Sequence, residues 1–358
     1  MTDNRLKNYK PYDFSASCSF YLGAIIVTLI VQGIAGVVAA ALESSAPGIA
    51  ENADFNAAFM IAFQVANAGF IVLFSYVKKR KFSFAYIREK GTDNGLNAMC
   101  FIVPVVGAVL LMAAMYLPTV WFGYLNAVIG IPEDAGSIST DTASSVVMLV
   151  IASVFLAPLF EETIYRGVLF NGLRENGSPV KAVMLSSLAF MLMHMSPLQV
   201  VFQFALGVTA AYLALNSGRL LPSVLLHATA NALALVMQMT AFGDVLLSWQ
   251  VWLTENIAAA VFITLGLFVV GFAALYILIP LSFGKGLPFG KKKEDKIEAE
   301  SERLVAAPTD IVAVKDETMA ELYKKEGRVK YIIAIGISLA VFIFNLLFMS
   351  TYILGGAA

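Results

Sequence analysis

Three charged residues, Glu161, Glu162 and Arg166, interrupt the otherwise apolar stretch "LAPLFEETIYRGVLF" at 156–170. A charge at the centre of a membrane helix costs roughly 2.5–3.5 kcal/mol on insertion scales, so three together demand a reason. Glu162 and Arg166 stand four apart on one helix face, where an ion pair offsets much of that cost. Glu161 is rotated from Glu162 by about 100° and needs a different partner. One acid and one base suffice for support, so the unpaired acid points to function. The chain contains two histidines, His194 and His227, and both fall in apolar segments. Asn231 follows His227 by four residues, on the same face. Glutamate and histidine together can take a proton from water and deliver it to a leaving group. A second histidine with an asparagine one turn away offers donors to a developing oxyanion. That set suits hydrolysis of an acyl bond. Glu161, His194 and His227 could equally be ligands for one zinc, leaving a position for water. There is no HExxH helix, and no GxSxG elbow or thiol–histidine motif argues for a covalent mechanism. Ser186 and Ser187, two turns before His194, read as small residues for helix packing.

The elements that position these groups are membrane helices. Of 358 residues, 59% are hydrophobic and 14% charged, against about 25% charged in soluble domains. With 24 basic and 25 acidic residues the chain has no basic surplus for nucleic acid. Segments of about the length that crosses a ~30 Å hydrocarbon layer recur at 17–42, 56–77, 97–124, 146–172, 180–196, 199–216, 222–242, 257–282 and 331–355. The prediction is an all-α polytopic membrane helix bundle with about eight or nine transmembrane helices. The fifth and sixth are short and joined by "MSPLQ", which predicts a tight hairpin. With the N-terminus cytoplasmic and sides alternating, none of the 24 lysines and arginines falls on an outer segment. The outer segments 43–55, 125–145 and 243–256 carry acids and no base, as the positive-inside rule requires. The C-terminus is then extracellular. The polar N-terminus lacks a cleavage site after a short apolar core, so the first span reads as a retained helix. Cys18 and Cys100 form no CxxC pair and read as apolar fillers. The basic runs "KKRK" and "KKK" read as topology determinants, with anionic lipid heads as the functional alternative.

The ordered sequence "EETIYRG", "SSLAFMLMH" and "GVTAAYLALNSGRLLPSVLLHATAN" resembles the CPBP family of intramembrane proteases, which includes the CAAX prenyl endopeptidases and the bacteriocin-processing or self-immunity Abi proteins. The family pattern is EExxxR, FxxxH and HxxxN/D on successive helices. Tyr165 stands where the family often has Phe. The resemblance implies that Glu161 is the general base on water, assisted by His194. It implies that His227 and Asn231 form the oxyanion hole, and that Glu162 and Arg166 hold the helix. Both metal-dependent and metal-free glutamate mechanisms have been assigned to such proteins, so zinc on Glu161, His194 and His227 stays open. The implied organisation is N-terminal spans over 1–145, a CPBP-like core over 146–242, a further span within 243–284, a cytoplasmic linker with two short helical pieces over 285–330, and a last span within 331–358.

The leading expectation is an intramembrane endopeptidase acting on a protein or peptide substrate within the lipid bilayer, from a polar cavity open toward the cytoplasm. A prenylated, bacteriocin-like or other membrane peptide would serve equally. The alternatives are a non-catalytic membrane scaffold or self-immunity protein, and a proton-coupled transporter. Oligomeric state is not legible. One tension accompanies the site. Counting 1.5 Å per residue from the inner span edges puts Glu161 at ~17 Å, His194 at ~21 Å and His227 at ~8 Å.

Overall fold

The computed structural model describes residues 10–81, 96–128, 142–175, 177–285 and 311–355. Its helices are α1 (Phe14–Leu42), α2 (Ala53–Val77) and α3 (Met99–Val128), then α4 (Ala143–Glu175). They continue with α5 (Pro179–Met193), α6 (Val200–Ser217), α7 (Leu221–Met239), α8 (Ala241–Glu255), α9 (Ile257–Ser282) and α10 (Ile311–Gly355). Eight of these are long and apolar enough to cross a membrane, and α5 is a shorter apolar helix. The protein is an all-α polytopic bundle. The only extended structure among the described residues is one two-residue pairing, Lys10–Pro11 against Arg80–Lys81.

Local chemistry sets the helix starts. Asp13 accepts from the Ala16 N–H and Asn52 from the Phe55 N–H, capping α1 and α2. Thr142 and Ser145 form a reciprocal capping box at the start of α4, satisfying two otherwise orphaned groups. Gly218, at φ 67°, ends α6 in the left-handed conformation that favours glycine. Large apolar side chains such as Ile30, Val72, Phe262 and Val270 are exposed on the bundle exterior. That is the surface a lipid-embedded protein requires.

The two ends of the bundle are tied differently. At one end Arg80 pairs with Asp13 at 2.8 Å, and Lys330 donates to Ser19 at 3.0 Å and pairs with Glu326. At the other, the Thr142 and Ser144 hydroxyls both donate to Asp54 Oδ1 at 2.7 Å. This is the grouping of helix ends that the alternation of basic and base-free segments predicts.

Three expectations are revised. Residues 243–256, read as an outer loop, form most of α8. Its Trp249 stacks on Tyr116 with ring centroids 5.8 Å apart while Val245, Leu247 and Trp252 stay exposed. Such a short aromatic helix suits the interface between membrane and water. Residues 311–330, read as linker, are helical and continuous with the last span in α10; the rest of that linker, 286–310, lies outside the described residues. The hairpin forms, but α5 is only 15 residues long. At 1.5 Å per residue it rises ~22 Å, short of the ~30 Å layer, so its far end and the turn after it sit within the membrane's depth.

Candidate active site

α4 carries the first part of the site. Two wide π stretches, Val150–Leu156 and Thr163–Phe170, flank the α-helical Ala157–Glu162. Such stretches are rare and cluster at functional positions. Arg166 Nη1 donates to Glu162 Oε1 at 2.9 Å, both side chains being fully buried. Arg166 Nη2 donates to the Gly207 carbonyl at 2.9 Å, and the guanidinium lies 4.5 Å from the centre of the Phe190 ring. A Cβ on Gly207 would sit 3.0 Å from Ser187 Cβ, so α6 approaches α5 there only because the residue is glycine. Ser186 and Ser187 are buried and bond only the Val183 carbonyl, in keeping with a packing role.

His227 joins this closed group, its Nδ1 lying 3.0 Å from Glu162 Oε1. An ionised carboxylate only accepts, so Nδ1 carries the proton. Nε2 then faces the cavity that His227 lines. It accepts when the ring is neutral and donates only when the ring is doubly protonated. Asn231 Nδ2 donates to the Ser153 carbonyl at 2.7 Å, inside the first π stretch. The amide carries two N–H groups, so one remains for a ligand.

Glu161 sits in a different setting. Gln64 Nε2 of α2 donates to its Oε1 at 3.1 Å, and Asn67 donates to Gln64 Oε1 at 3.4 Å. Its Oε2 has no hydrogen-bond partner and lies 4.0 Å from His194 Nε2. His194 Nδ1 donates to the Phe190 carbonyl at 2.9 Å. In the neutral ring this leaves Nε2 as a lone pair facing the carboxylate. His194 ends α5 as its C-cap. The next residue, Met195, holds φ 51°, and its carbonyl accepts from Asn345 of α10 at 3.1 Å.

Glu161, His194, His227 and Asn231 all line one cavity of about 940 Å³, while Glu162 and Arg166 stand behind its wall. The depths counted from span edges do not keep these groups apart: His227 on α7 meets Glu162 of α4, and His194 at the end of α5 stands beside Glu161. The cavity runs from these groups toward Thr119, Gln238 and Gln250. Those residues lie near the ends of α3, α7 and α8 that are remote from the basic segments. The expectation of a cavity open toward the basic face is therefore revised: it occupies the opposite half. Among the described residues, no group of three or more His, Cys, Asp or Glu gathers closely enough to hold a metal ion. His227 is turned to Glu162 and Glu161 Oε1 is held by Gln64, so these donors do not fit a three-ligand zinc site in this arrangement.

Gln64, Asn67 and Asn345 are site residues that the sequence reading missed. The signal for the first two was available: two amides three residues apart mark one face of α2. Asn345, in the last span, has no motif.

Fold and site together define a multi-pass membrane protein with a glutamate–histidine centre opposite an asparagine. Residues 143–233 match the family described as Type II CAAX prenyl endopeptidase Rce1-like. A Bacillus subtilis (strain 168) protein named "Putative membrane peptidase YdiL" is 27% identical over 99 residues, 28% of this chain and 41% of that protein. The chain thus matches less than two thirds of this relative's length. No solved structure matches. These similarities agree with the resemblance to the CPBP proteases, and the family match falls on the segment that carries all six motif residues.

Proposed function

We propose that the chain is an intramembrane endopeptidase that hydrolyses a peptide bond with water activated by Glu161 and His194. The observation that carries this reading is the facing pair of acceptors, Glu161 Oε2 and His194 Nε2, 4.0 Å apart on the cavity wall. That distance is too long for a direct hydrogen bond and suits one water donating to both. Glu161 takes one proton as the water oxygen bonds to the scissile carbonyl carbon. The oxyanion so formed receives the spare N–H of Asn231 and, when the ring is doubly protonated, Nε2–H of His227. Glu161 then passes its proton to the amide nitrogen as the C–N bond breaks, leaving an amine and a carboxylic acid. His194 orients the water, and Gln64 orients Glu161. With the basic segments cytoplasmic and the C-terminus external, the cavity occupies the outer half of the membrane.

The test is turnover of quenched-fluorescent apolar peptides by purified protein in liposomes, beside Glu161→Gln and with or without a chelator. Cleavage by the parent and its loss in the variant are expected. A parent that binds peptide and cleaves none, like the variant, would leave a scaffold or self-immunity protein. Loss on chelation, restored by zinc, would recast Glu161 and the histidines around a metal.

A further inference from the structure

The chain has six glutamines, Gln32, Gln64, Gln199, Gln203, Gln238 and Gln250, and every one lines the catalytic cavity. They come from five helices or their caps: α1, α2, α6, α7 and α8. Elsewhere in this apolar chain no position has kept a glutamine, so their gathering on one wall needs a ligand-based reason. Gln64 is buried and Gln199, Gln203 and Gln250 are half-buried, and a buried primary amide without a partner costs several kcal/mol in a membrane protein. Some of these amides satisfy each other or their neighbours: Gln64 holds Glu161, and Gln250 donates to the Tyr116 hydroxyl at 2.6 Å. Others are incompletely used. Gln203 Oε1 is buried without a partner, and so is the nearby cavity hydroxyl Thr119 Oγ1. Between the amides stand five methionines, among them Met112 and Met193. Thioether side chains adapt to varied apolar shapes. Among the described residues, lysine, arginine and aspartate are absent from the lining and Glu161 is its one carboxylate.

We infer that this lining recognises the main chain of an extended, uncharged polypeptide segment, with the glutamines pairing its amide N–H and C=O groups. This rests on the endopeptidase reading and names its substrate class. An amide side chain offers one acceptor and two donors, the complement of a peptide unit. A peptide drawn into a membrane leaves its main-chain groups unsatisfied unless the site supplies partners. The glutamines supply them, the methionines accept varied apolar side chains, and the missing cations leave nothing to receive a terminal carboxylate. The segment taken is therefore internal to its chain.

The experiment uses Glu161→Gln protein in liposomes, so that binding is read without cleavage. Its probe is a fluorescein-labelled peptide of ten uncharged apolar residues, compared by anisotropy with three relatives. One is N-methylated at alternate backbone nitrogens, one carries a central Lys, and one a central Asp. The N-methylated peptide should bind at least about tenfold more weakly, the size of one or two lost hydrogen bonds. Both charged peptides should bind more weakly still. A triple variant, Gln32→Leu with Gln203→Leu and Gln250→Leu, should bind the parent and N-methylated peptides alike. Equal binding of the first two peptides to the unsubstituted glutamine lining, tight binding of a charged one, or no binding at all overturns the inference, whether or not the triple variant folds. Turnover by wild-type protein, measured separately, tells whether the endopeptidase reading fails with it.

Discussion

Two adjacent glutamates make the most informative comparison in the molecule. Each keeps one Oε2 atom without a hydrogen-bond partner. Glu162 is nevertheless closed in, its Oε1 shared by Arg166 at 2.9 Å and His227 at 3.0 Å, with no exposed surface. Glu161 receives one amide, and its spare oxygen stands beside His194 on a cavity wall. Charge count alone does not distinguish these two acids. What separates them is whether the side chain is sealed among packed partners or lines a cavity beside a histidine.

Five substitutions test that contrast. Glu161→Gln keeps the shape and the Gln64 contact site but removes the base. Turnover should fall by about 10²–10⁴, the usual contribution of general acid–base catalysis, with the melting temperature unchanged. Full activity in this variant would end the comparison. Arg166→Ala should act in the opposite way, because breaking a buried pair costs about 3–5 kcal/mol. The expected result is a sharply lower melting temperature in detergent, with Glu162→Gln following it. If Arg166→Ala melts like the parent, the closed group is not structural. Asn231→Ala removes a single donor to the oxyanion and should lower kcat by about 10²–10³ with KM little changed. A KM effect of the same size with kcat preserved would reassign Asn231 to substrate binding. Gln64→Leu should have the smallest effect, because Glu161 stays in place and loses one positioning hydrogen bond worth about 1–3 kcal/mol. A kcat loss of roughly tenfold at constant melting temperature is expected; a loss as deep as that of Glu161→Gln would make Gln64 part of the chemistry.

Much of this contrast was legible in the sequence. The i, i+4 spacing of Glu162 and Arg166 is a property of any helix, so their pairing and the separate direction of Glu161 could be read directly. The sidedness of the lysines and arginines likewise grouped the helix ends that the structure ties together. Depth was not legible. Hydropathy reports which residues tolerate lipid, not how far a helix penetrates, so α5 looked like a full span and the counted depths of Glu161, His194 and His227 disagreed. The cavity's side was misjudged for a related reason: basic residues orient the chain but do not say which half of the bundle is hollow. Asn345 was invisible because a lone amide in an apolar helix looks the same whatever it touches, whereas Gln64 had a legible companion in Asn67 on the same face of α2. α8 escaped because its apolar residues are too few for a span and its tryptophans mark an interface.

The bond from Asn345 to Met195 joins residues 150 positions apart. At roughly 5–20 residues per second of synthesis, some 8–30 s separate the making of the two. During that interval the turn beside His194 has been built while the side chain that fastens its carbonyl does not yet exist. The turn that follows His194 is therefore fastened only once α10 has been made.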